Sequence, residues 1–384
     1  MGRISFQGGP GRHGPPAPGS MGFTGEPHAL QDIFENITRI AGYHAQTGYC
    51  QHKTGRWINA MITLPRISIA HLPTPVEVLP RLTAALGGPT ILVKRDDLTG
   101  LAFGGNKTRK LEYLMAEAQA HGARTIITAG AIQSNHCRQT AAAAARLNFE
   151  CILVLSGEKP SLASGNLLLD RLFNAEVVWT SLEERDNILE QTFQKAWEAG
   201  NRPYLIPYGG SNTTGATAYV QAMQELLAQQ YHPDWIVFAS SSGGTQAGLV
   251  TGARLFGFQG KVLGISVDEP EMILKGRVAS LATATADALR ENAIFQQDDI
   301  LVCDDYLGEG YGIMGPAEIE AIRLFARLEG LVLDPVYTGR AAAGLIDLVR
   351  KGYFMNQETV LFWHTGGTPA VFSEKYAHLV DPIS

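Results

Sequence analysis

The sequence lacks the long apolar runs and the cysteine spacing that define several classes of protein. Its 384 residues contain no stretch of about 18 apolar residues, so no transmembrane helix is expected. The N-terminus has no basic segment followed by an apolar one, so no secretory signal is expected. The 4 cysteines form no CxxC pair, which favours reduced thiols in a cytoplasmic protein over a disulfide framework or a zinc site.

Clustered positive charge and the common metal and nucleotide motifs are also missing. The net charge of -6 argues against a nucleic-acid-binding surface. The absence of an HExxH or paired-carboxylate pattern gives little support to metal or glycosidase chemistry. A nucleotide-binding kinase would need a P-loop lysine, which the sequence does not contain. What is present is 45% hydrophobic residues, enough to bury a large core.

The chain divides into a low-complexity start and a long alternating segment. Residues 1–28 are rich in Gly, Pro and Ser, and residues 1–60 are expected to form a disordered or poorly structured extension. From Leu79 onward, short apolar runs alternate with helical periods, which predicts an α/β fold of parallel sheets flanked by helices. Strands are predicted at Thr90–Lys94, Thr125–Thr128, Cys151–Leu155, Val177–Trp179, Tyr204–Ile206, Trp235–Phe238, Val262–Ser266, Val302 and Val360–Phe362.

A lysine follows a glycine turn near the start of this alternating segment. Gly104 and Gly105 precede Lys107, which begins a helix predicted to run to Ala120. An amine held at such a turn can be desolvated, lowered in pKa and directed at a carbonyl carbon. On spacing alone, a solvated lysine on a surface helix is the better interpretation.

A Ser/Gly loop follows the strand predicted at Trp235–Phe238. Its small residues, Ser241 to Thr245, open a helix and could present backbone N–H groups to a single phosphate. A plain Gly/Ser turn explains the same residues equally well.

Two further loops carry polar residues at predicted strand ends. In the first, Ser134 or Asn135 could cap a helix, or the loop could bind a carboxylate and a phenolic oxygen, with His136 a supporting or surface residue. The second is a pair of segments, residues 334–340 and 363–369, each expected to follow a strand. Within this pair Tyr337 could be a half-buried packing residue, Thr338 a helix cap and His364 a satisfied histidine at a strand end. An activated lysine, a single-phosphate loop and no metal ligands together indicate pyridoxal phosphate held as a Schiff base.

At this point several motifs resemble a known family. The chain from about Leu72 onward is similar to the D-cysteine desulfhydrase / 1-aminocyclopropane-1-carboxylate deaminase family of fold-type II pyridoxal-phosphate enzymes, which is related to the tryptophan synthase β subunit. The motifs that carry the resemblance are Gly104-Gly-Asn-Lys-Thr-Arg-Lys-Leu-Glu112, Gly130-Ala-Ile-Gln-Ser-Asn135, Ser241-Ser-Gly-Gly-Thr-Gln-Ala-Gly248, Asp334-Pro-Val-Tyr-Thr-Gly339 and His364-Thr-Gly-Gly367.

The resemblance implies a role for each matching residue. Lys107 would be the Schiff-base lysine, Asn135 would bind the phenolic oxygen of the cofactor, and Ser134 with the Asn135 and His136 backbone would bind the substrate carboxylate. The phosphate would be held by Ser241, Ser242, Gly243, Gly244 and Thr245, and the active-site tyrosines would be Tyr311 and Tyr337. The family fold implies a large cofactor-binding domain of residues 61–109 and 216–384, a small domain of residues 110–215, and a homodimer.

Two threonines separate the branches of the family. The deaminases have Glu where this chain has Thr338, beside the pyridine nitrogen, and Leu where it has Thr365. The threonines match the desulfhydrase pattern, which implies α,β-elimination of D-cysteine to pyruvate, ammonia and hydrogen sulfide, with Lys107 as first candidate for the Cα base. The segment Ile313-Met-Gly-Pro316 departs from the close relatives. The alternatives are 1-aminocyclopropane-1-carboxylate deaminase, a cysteate sulfo-lyase, and a ligand-binding protein without activity.

Overall fold

The computed structural model describes residues 64–380, and this part of the chain has the predicted α/β fold. The predicted extension of residues 1–60 lies outside the described residues. No helix between residues 64 and 380 is long and apolar enough to cross a membrane. The strands are β1 (Val76–Val78), β2 (Thr90–Arg95), β3 (Thr125–Ala131), β4 (Glu150–Ser156), β5 (Glu176–Thr180), β6 (Pro203–Leu205), β7 (Trp235–Ser240), β8 (Lys261–Ser266), β9 (Leu301–Cys303) and β10 (Thr359–His364). The α-helices are α1 (Pro80–Leu86), α2 (Asn106–Ala120), α3 (Asn135–Arg146), α4 (Gly165–Leu172), α5 (Arg185–Glu198), α6 (Thr213–Ala228), α7 (Gly244–Phe256), α8 (Glu271–Ala288), α9 (Pro316–Glu329) and α10 (Thr338–Arg350).

The larger sheet joins strands that are far apart in sequence. Its order is β1-β2-β10-β7-β8-β9, and only the edge strand β1 is antiparallel to its neighbour. The late strand β10 lies between β2 and β7, with Thr359 opposite Thr90 and Val360 opposite Trp235. All six residues of β7 are buried, as expected for a parallel strand covered on both faces.

The smaller sheet is parallel throughout and has the order β5-β4-β3-β6. All four of its strands come from residues 125–205. Helix α3 packs against it through alanines, and Ala141, Ala143 and Ala144 are fully buried in one cluster with Leu153 and Leu155. Because an alanine side chain is only a methyl group, the helix backbone approaches the sheet closely, which positions the first turn of α3 at the strand ends.

Three elements of the structure were not predicted from the sequence, and the strand predicted before Asp334 was wrong. The short strand β1 and the helices α1 and α6 were not predicted. The segment before Asp334 was expected to be a strand, but it has no regular structure and pairs with no strand of the described chain. Its apolar residues Leu331 and Leu333 are buried because they fill the core beside the larger sheet. Burial without a partner strand explains the misleading apolar run.

A buried polar network fixes the helix that carries Lys107. Asp96, at the end of β2, accepts hydrogen bonds from Arg109 Nε at 2.9 Å and Nη2 at 2.8 Å. The same carboxylate accepts from Tyr219 Oη at 2.6 Å and Trp363 Nε1 at 2.8 Å, and Arg109 also bonds Glu225. Through Arg109, which lies two residues after Lys107, the network therefore connects α2 to β2, α6 and β10.

Candidate active site

The loops that were predicted to carry the site line one pocket, at the carboxyl ends of strands from both sheets. In parallel α/β folds this is the usual place for a ligand, because the loops that leave neighbouring strands meet there. The lining residues are Asn106, Lys107, Ser134, Asn135, His136, Tyr208, Gly209, Ala239, Ser240, Ser241, Ser242, Gly243, Thr245, Tyr337, Thr365 and Gly366. Of the predicted site residues, Tyr311, Thr338 and Gly244 are outside this set and lie directly behind it.

Glycines are required in the turn that presents Lys107. Gly104 and Gly105 have φ values of 67° and 127°, a region that residues with a side chain rarely adopt. A Cβ on Gly104 would lie 2.0 Å from the Asp97 carbonyl oxygen, and one on Gly105 would lie 2.6 Å from Gln139 Nε2. The backbone N–H of Asn106 then donates to the Thr365 carbonyl at 2.9 Å. The turn thereby places Lys107 in the first turn of α2, facing the pocket.

The environment of Lys107 favours a reactive amine. Burial lowers the pKa of Lys107 to about 8, an effect that the Asp334 carboxylate partly opposes. An unperturbed lysine has a pKa near 10.4, so at neutral pH the neutral, nucleophilic fraction here is raised by about two orders of magnitude. The interpretation of Lys107 as a solvated surface residue is therefore disfavoured.

The loop from Ser241 to Thr245 forms a cradle of donors at the start of α7. Gly243 has φ 84°, and the helix begins at Gly244, so its free N–H groups and its dipole face the pocket. Ser242 Oγ lies 2.8 Å from Ser211 Oγ, which also accepts from the Gly244 N–H at 3.3 Å. Ser241 donates its hydroxyl to Asp268 Oδ2 at 2.8 Å, which fixes this side of the loop. Thr245 accepts from Asn106 Nδ2 at 3.1 Å.

A second lysine, not predicted, lies beside the cradle. Lys110 is one helical turn along α2 from Lys107, and its Nζ donates to the Gly209 carbonyl at 3.1 Å and to Ser211 Oγ at 3.3 Å. Burial, followed by repulsion from Lys107, holds the pKa of Lys110 well below its usual value. The i, i+3 spacing of the two lysines was the available sequence signal.

The first turn of α3 combines helix capping with a place in the pocket. Ser134 is the N-cap and accepts from the Cys137 N–H at 3.2 Å, so the capping alternative holds for this residue. His136 is buried, with Nε2 3.0 Å from Thr128 Oγ1. Thr128 gives its only hydroxyl proton to the Ile206 carbonyl, so it must accept from Nε2–H of the histidine. Because burial keeps the pKa of His136 well below 6.5, its Nδ1 is an unprotonated acceptor, and it has no hydrogen-bond partner among residues 64–380.

Tyrosine side chains form another part of the pocket wall. Tyr337 Oη lies 2.6 Å from Tyr311 Oη, and the two rings meet edge to face. Tyr311 therefore reaches the pocket through Tyr337. Burial, followed by the neighbouring phenols, holds the pKa of Tyr337 well above its usual value, so this group carries a proton at any physiological pH. Tyr208, which sequence reasoning missed, lines the same wall from the loop after β6.

Thr338 and Thr365, the two threonines that differ from the residues of the deaminases, occupy different places. Thr365 lines the pocket, whereas Thr338 is fully buried behind it. The Thr338 hydroxyl donates to Asp334 Oδ1 at 2.8 Å and accepts from the Asp334 N–H at 2.7 Å. His364 stands at the end of β10 as predicted. Its Nδ1 accepts from the Gly366 N–H at 3.2 Å, and its Nε2 lies 4.0 Å from Asp97 Oδ2.

Known proteins share both the sequence and the fold. A profile described as pyridoxal-phosphate dependent enzyme matches residues 67–366. A D-cysteine desulfhydrase of Klebsiella pneumoniae (strain 342) is 43% identical over 318 residues, which is 80% of this chain and 96% of that protein. The crystal structure of an ACC deaminase homologue superposes with a TM-score of 0.75 at 36% identity, covering 83% of this chain and 97% of the other. Maize serine racemase, 17% identical with a TM-score of 0.57 over 77% of this chain and 88% of its own, shares the fold.

The fold and the site are those of an enzyme that holds a phosphorylated aldehyde cofactor through a lysine. The matched profile covers most of the chain, and the chain belongs to the pyridoxal-phosphate dependent enzyme family. The residues present fit that cofactor. Lys107 would supply an amine of lowered pKa for the aldehyde, and the start of α7 would supply uncharged donors for a phosphate. The Asn135 side chain lines the same pocket.

Cofactor uptake is expected to depend on pH through Lys107. The neutral amine attacks the aldehyde, and its fraction falls tenfold for each pH unit below the pKa of about 8. The rate constant for uptake of pyridoxal phosphate by the apoprotein should therefore rise about tenfold between pH 6 and 7 and level off above pH 8. Stopped-flow absorbance measures this rate, and Lys107→Arg is the control that removes the reactive amine. A rate independent of pH below 8 would contradict the assignment.

Proposed function

We propose that this protein is a D-cysteine desulfhydrase, which converts D-cysteine and water to pyruvate, ammonia and hydrogen sulfide. The observation that carries the proposal is Lys107, an amine of lowered pKa that faces a phosphate cradle in the same pocket. The 43% identical desulfhydrase supports the choice of reaction. Thr338 and Thr365 support it further, because both match the desulfhydrase pattern and Thr338 stands where the deaminases have a glutamate.

The pocket residues have separate tasks in this reaction. Bound pyridoxal phosphate supplies the electron sink that stabilises negative charge at the substrate Cα. The N–H groups at the start of α3, together with Ser134, would bind the substrate carboxylate, which their position in the pocket lining supports. Holding the carboxylate at one end and the cofactor phosphate at the other fixes the direction of the Cα–H bond, which is an orientation effect on the rate.

Proton transfer is assigned to the lysine and the tyrosines. A neutral Lys107 amine can accept the Cα proton, because its pKa of about 8 lies near the working pH. Tyr337 keeps its proton and lies in the pocket wall, so it can donate that proton to the departing sulfur. Tyr311, hydrogen-bonded to Tyr337, can then supply a replacement.

A substrate panel tests the proposal. Purified protein is supplied with D-cysteine, L-cysteine, D-cysteate and 1-aminocyclopropane-1-carboxylate, and sulfide, sulfite and ammonia are measured separately. Sulfide release from D-cysteine at the highest kcat/KM is the expected result. Ammonia from the cyclopropane substrate without sulfide would instead identify the deaminase, the alternative that the 36% identical ACC deaminase homologue favours. Sulfite from cysteate would identify the sulfo-lyase.

Introducing the deaminase glutamate at position 338 is expected to reduce desulfhydrase activity. In Thr338→Glu a second carboxylate would enter the buried loop where Thr338 Oγ1 now lies 2.8 Å from Asp334 Oδ1. Like charges in a buried loop repel and disturb the segment that carries Tyr337. We expect kcat/KM for D-cysteine to fall at least about tenfold, or 1.4 kcal/mol. The control is Thr338→Ser, which keeps the hydroxyl and should stay within a factor of about two. Equal activity of the two variants would remove Thr338 from the substrate argument.

We also propose the domain division and the assembly that the family resemblance implies. The smaller sheet lies wholly within residues 110–215 and the larger sheet outside it, which supports two domains with α2 crossing between them. A homodimer in the cytoplasm, with a small amino acid as substrate, completes the proposal. Analytical ultracentrifugation tests the dimer, and a single species of about 41.5 kDa would contradict it.

A further inference from the structure

Arg138 is a buried arginine that makes no ion pair among residues 64–380. Its side chain is fully buried on α3, and its three hydrogen bonds go to neutral oxygens. It donates through Nη1 to Asn135 Oδ1 at 3.2 Å and to Asn166 Oδ1 at 2.8 Å, and through Nη2 to the Gly104 carbonyl at 2.8 Å. Burial lowers the pKa of Arg138 to about 10, although the Asp170 and Asp334 carboxylates nearby partly oppose this effect. The buried charge is therefore held at a net cost, which suggests a role beyond stability.

The guanidinium dictates how two neighbouring amides are turned. A guanidinium has donors only, so the amide atom that faces it must be an oxygen for both Asn135 and Asn166. The amide nitrogen of Asn166 then donates to Asn135 Oδ1 at 2.9 Å and to the Gln133 carbonyl at 2.7 Å. Every one of these contacts pairs a donor with an acceptor. Rotating either side-chain amide by 180° would place one N–H group opposite another, and the hydrogen bonds would be lost.

This orientation leaves a specific group of Asn135 for the pocket. Its oxygen already accepts two hydrogen bonds, so its amide nitrogen is the atom available to a ligand. A Cβ on Gly367 would lie 2.7 Å from that nitrogen, so a glycine is needed to leave it room. A donor fixed at this place suits an anionic oxygen on a ring, which accepts hydrogen bonds.

We propose that Arg138 is a positioning residue that holds the Asn135 amide with its N–H groups toward the ring oxygen of pyridoxal phosphate. Through Gly104 it also holds the turn before Lys107, so one side chain aligns the amide donor with the lysine. The inference rests on the cofactor of the family and not on D-cysteine as substrate, so it survives a different outcome of the substrate panel.

The proposal predicts a shift in the pH at which the visible absorbance band of the bound cofactor is half converted. A donor on the ring oxygen withdraws negative charge that would otherwise stabilise a proton on the nitrogen of Lys107 joined to the cofactor. When the donor is lost or misdirected, the proton is held more tightly. The pH midpoint of the visible absorbance band should therefore rise, and no substrate is needed to measure it.

The decisive experiment is a double-mutant cycle on the holoenzyme. Arg138→Met and Asn135→Ala are each expected to raise the midpoint by about one pH unit, the equivalent of one charge-assisted hydrogen bond. If Arg138 acts through Asn135, the double variant should show little more shift than Asn135→Ala alone. Fully additive shifts, or no shift in Arg138→Met, would overturn the proposal.

Two further variants separate positioning from simple stability. Leu82 on α1 is also fully buried, but it packs in the core beside the larger sheet and does not line the pocket, so Leu82→Ala should lower stability and leave the midpoint unchanged. If Arg138→Met does not fold, Asn166→Ala removes one of the two donors to Asn135 Oδ1 and should raise the midpoint by a smaller amount. An unchanged midpoint in Asn166→Ala, or an equal shift in Leu82→Ala, would count against the proposal.

Discussion

Replacing Lys107 by alanine is expected to abolish the activity, lowering kcat/KM by at least about 10³-fold, and to remove the visible absorbance of the bound cofactor. The variant loses both the covalent link to the aldehyde and the amine that accepts the Cα proton, and a positioned acid–base group alone contributes about 10²- to 10⁴-fold. Sulfide release and an absorbance spectrum of the purified variant measure the two losses.

The control must show that the loss is specific to this amine. Lys275 pairs with Glu271 on α8, outside the pocket, so Lys275→Ala should retain activity and absorbance. Lys107→Arg keeps the positive charge but has no amine that can react with the aldehyde, so it should be as inactive as Lys107→Ala. Full turnover in either Lys107 variant would eliminate the proposed chemistry.

Replacing Asp96 by alanine is expected to cost about 3–5 kcal/mol of the free energy of unfolding. The carboxylate is fully buried and accepts hydrogen bonds from Arg109, Thr74, Tyr219 and Trp363. Without it, Arg109 keeps only Glu225 as a charged partner, and the Trp363 N–H is left buried without an acceptor. Urea denaturation followed by fluorescence measures the change in stability.

A surface ion pair provides the matched control for Asp96. Glu320 and Arg350 are bonded at 2.6 Å with both side chains about half exposed, so Glu320→Ala should cost less than about 1 kcal/mol. A change of that small size in Asp96→Ala would contradict the structural role given to the network.

The same network predicts how stability depends on pH. Burial alone would raise the pKa of Asp96, but Arg109, followed by Lys94 and Tyr219, holds the pKa below its usual value. The charged form is therefore favoured in the folded state. Its contribution is fully present above about pH 4 and is lost as the pH falls through the folded-state value.

Secondary structure was predicted correctly wherever the apolar residues followed the pattern of either a strand or a helix. Strands such as β4 and β8 and the helix after Lys107 follow from their apolar patterns, and the structure confirms them within one or two residues. Helix α6 was missed because it is buried around most of its circumference. Gly215, Ala216, Ala218, Val220 and Ala222 are all buried, so no polar face marks the helical period.

The parts of the site that escaped prediction depend on contacts between distant segments. Ser211 joins the phosphate cradle through Ser242, 31 positions later, and nothing in its own neighbourhood indicates that contact. Tyr208 follows the strand β6, which has only 3 residues. The lowered pKa of Lys107 and the orientation of Asn135 likewise follow from burial and from Arg138 and Asn166. A sequence pattern can identify such residues, but it does not show which side chains surround them in the folded protein.

The central position of β10 has a consequence for the order in which the protein can be made. During synthesis β2 and β7 emerge from the ribosome long before residues 359–364, and each then exposes an unpaired parallel edge to the other. The nascent chain therefore carries two incomplete halves of one sheet, a state that favours chaperone binding or aggregation. The same late strand leads into Thr365 and Gly366, so the cofactor pocket closes only when the sheet does.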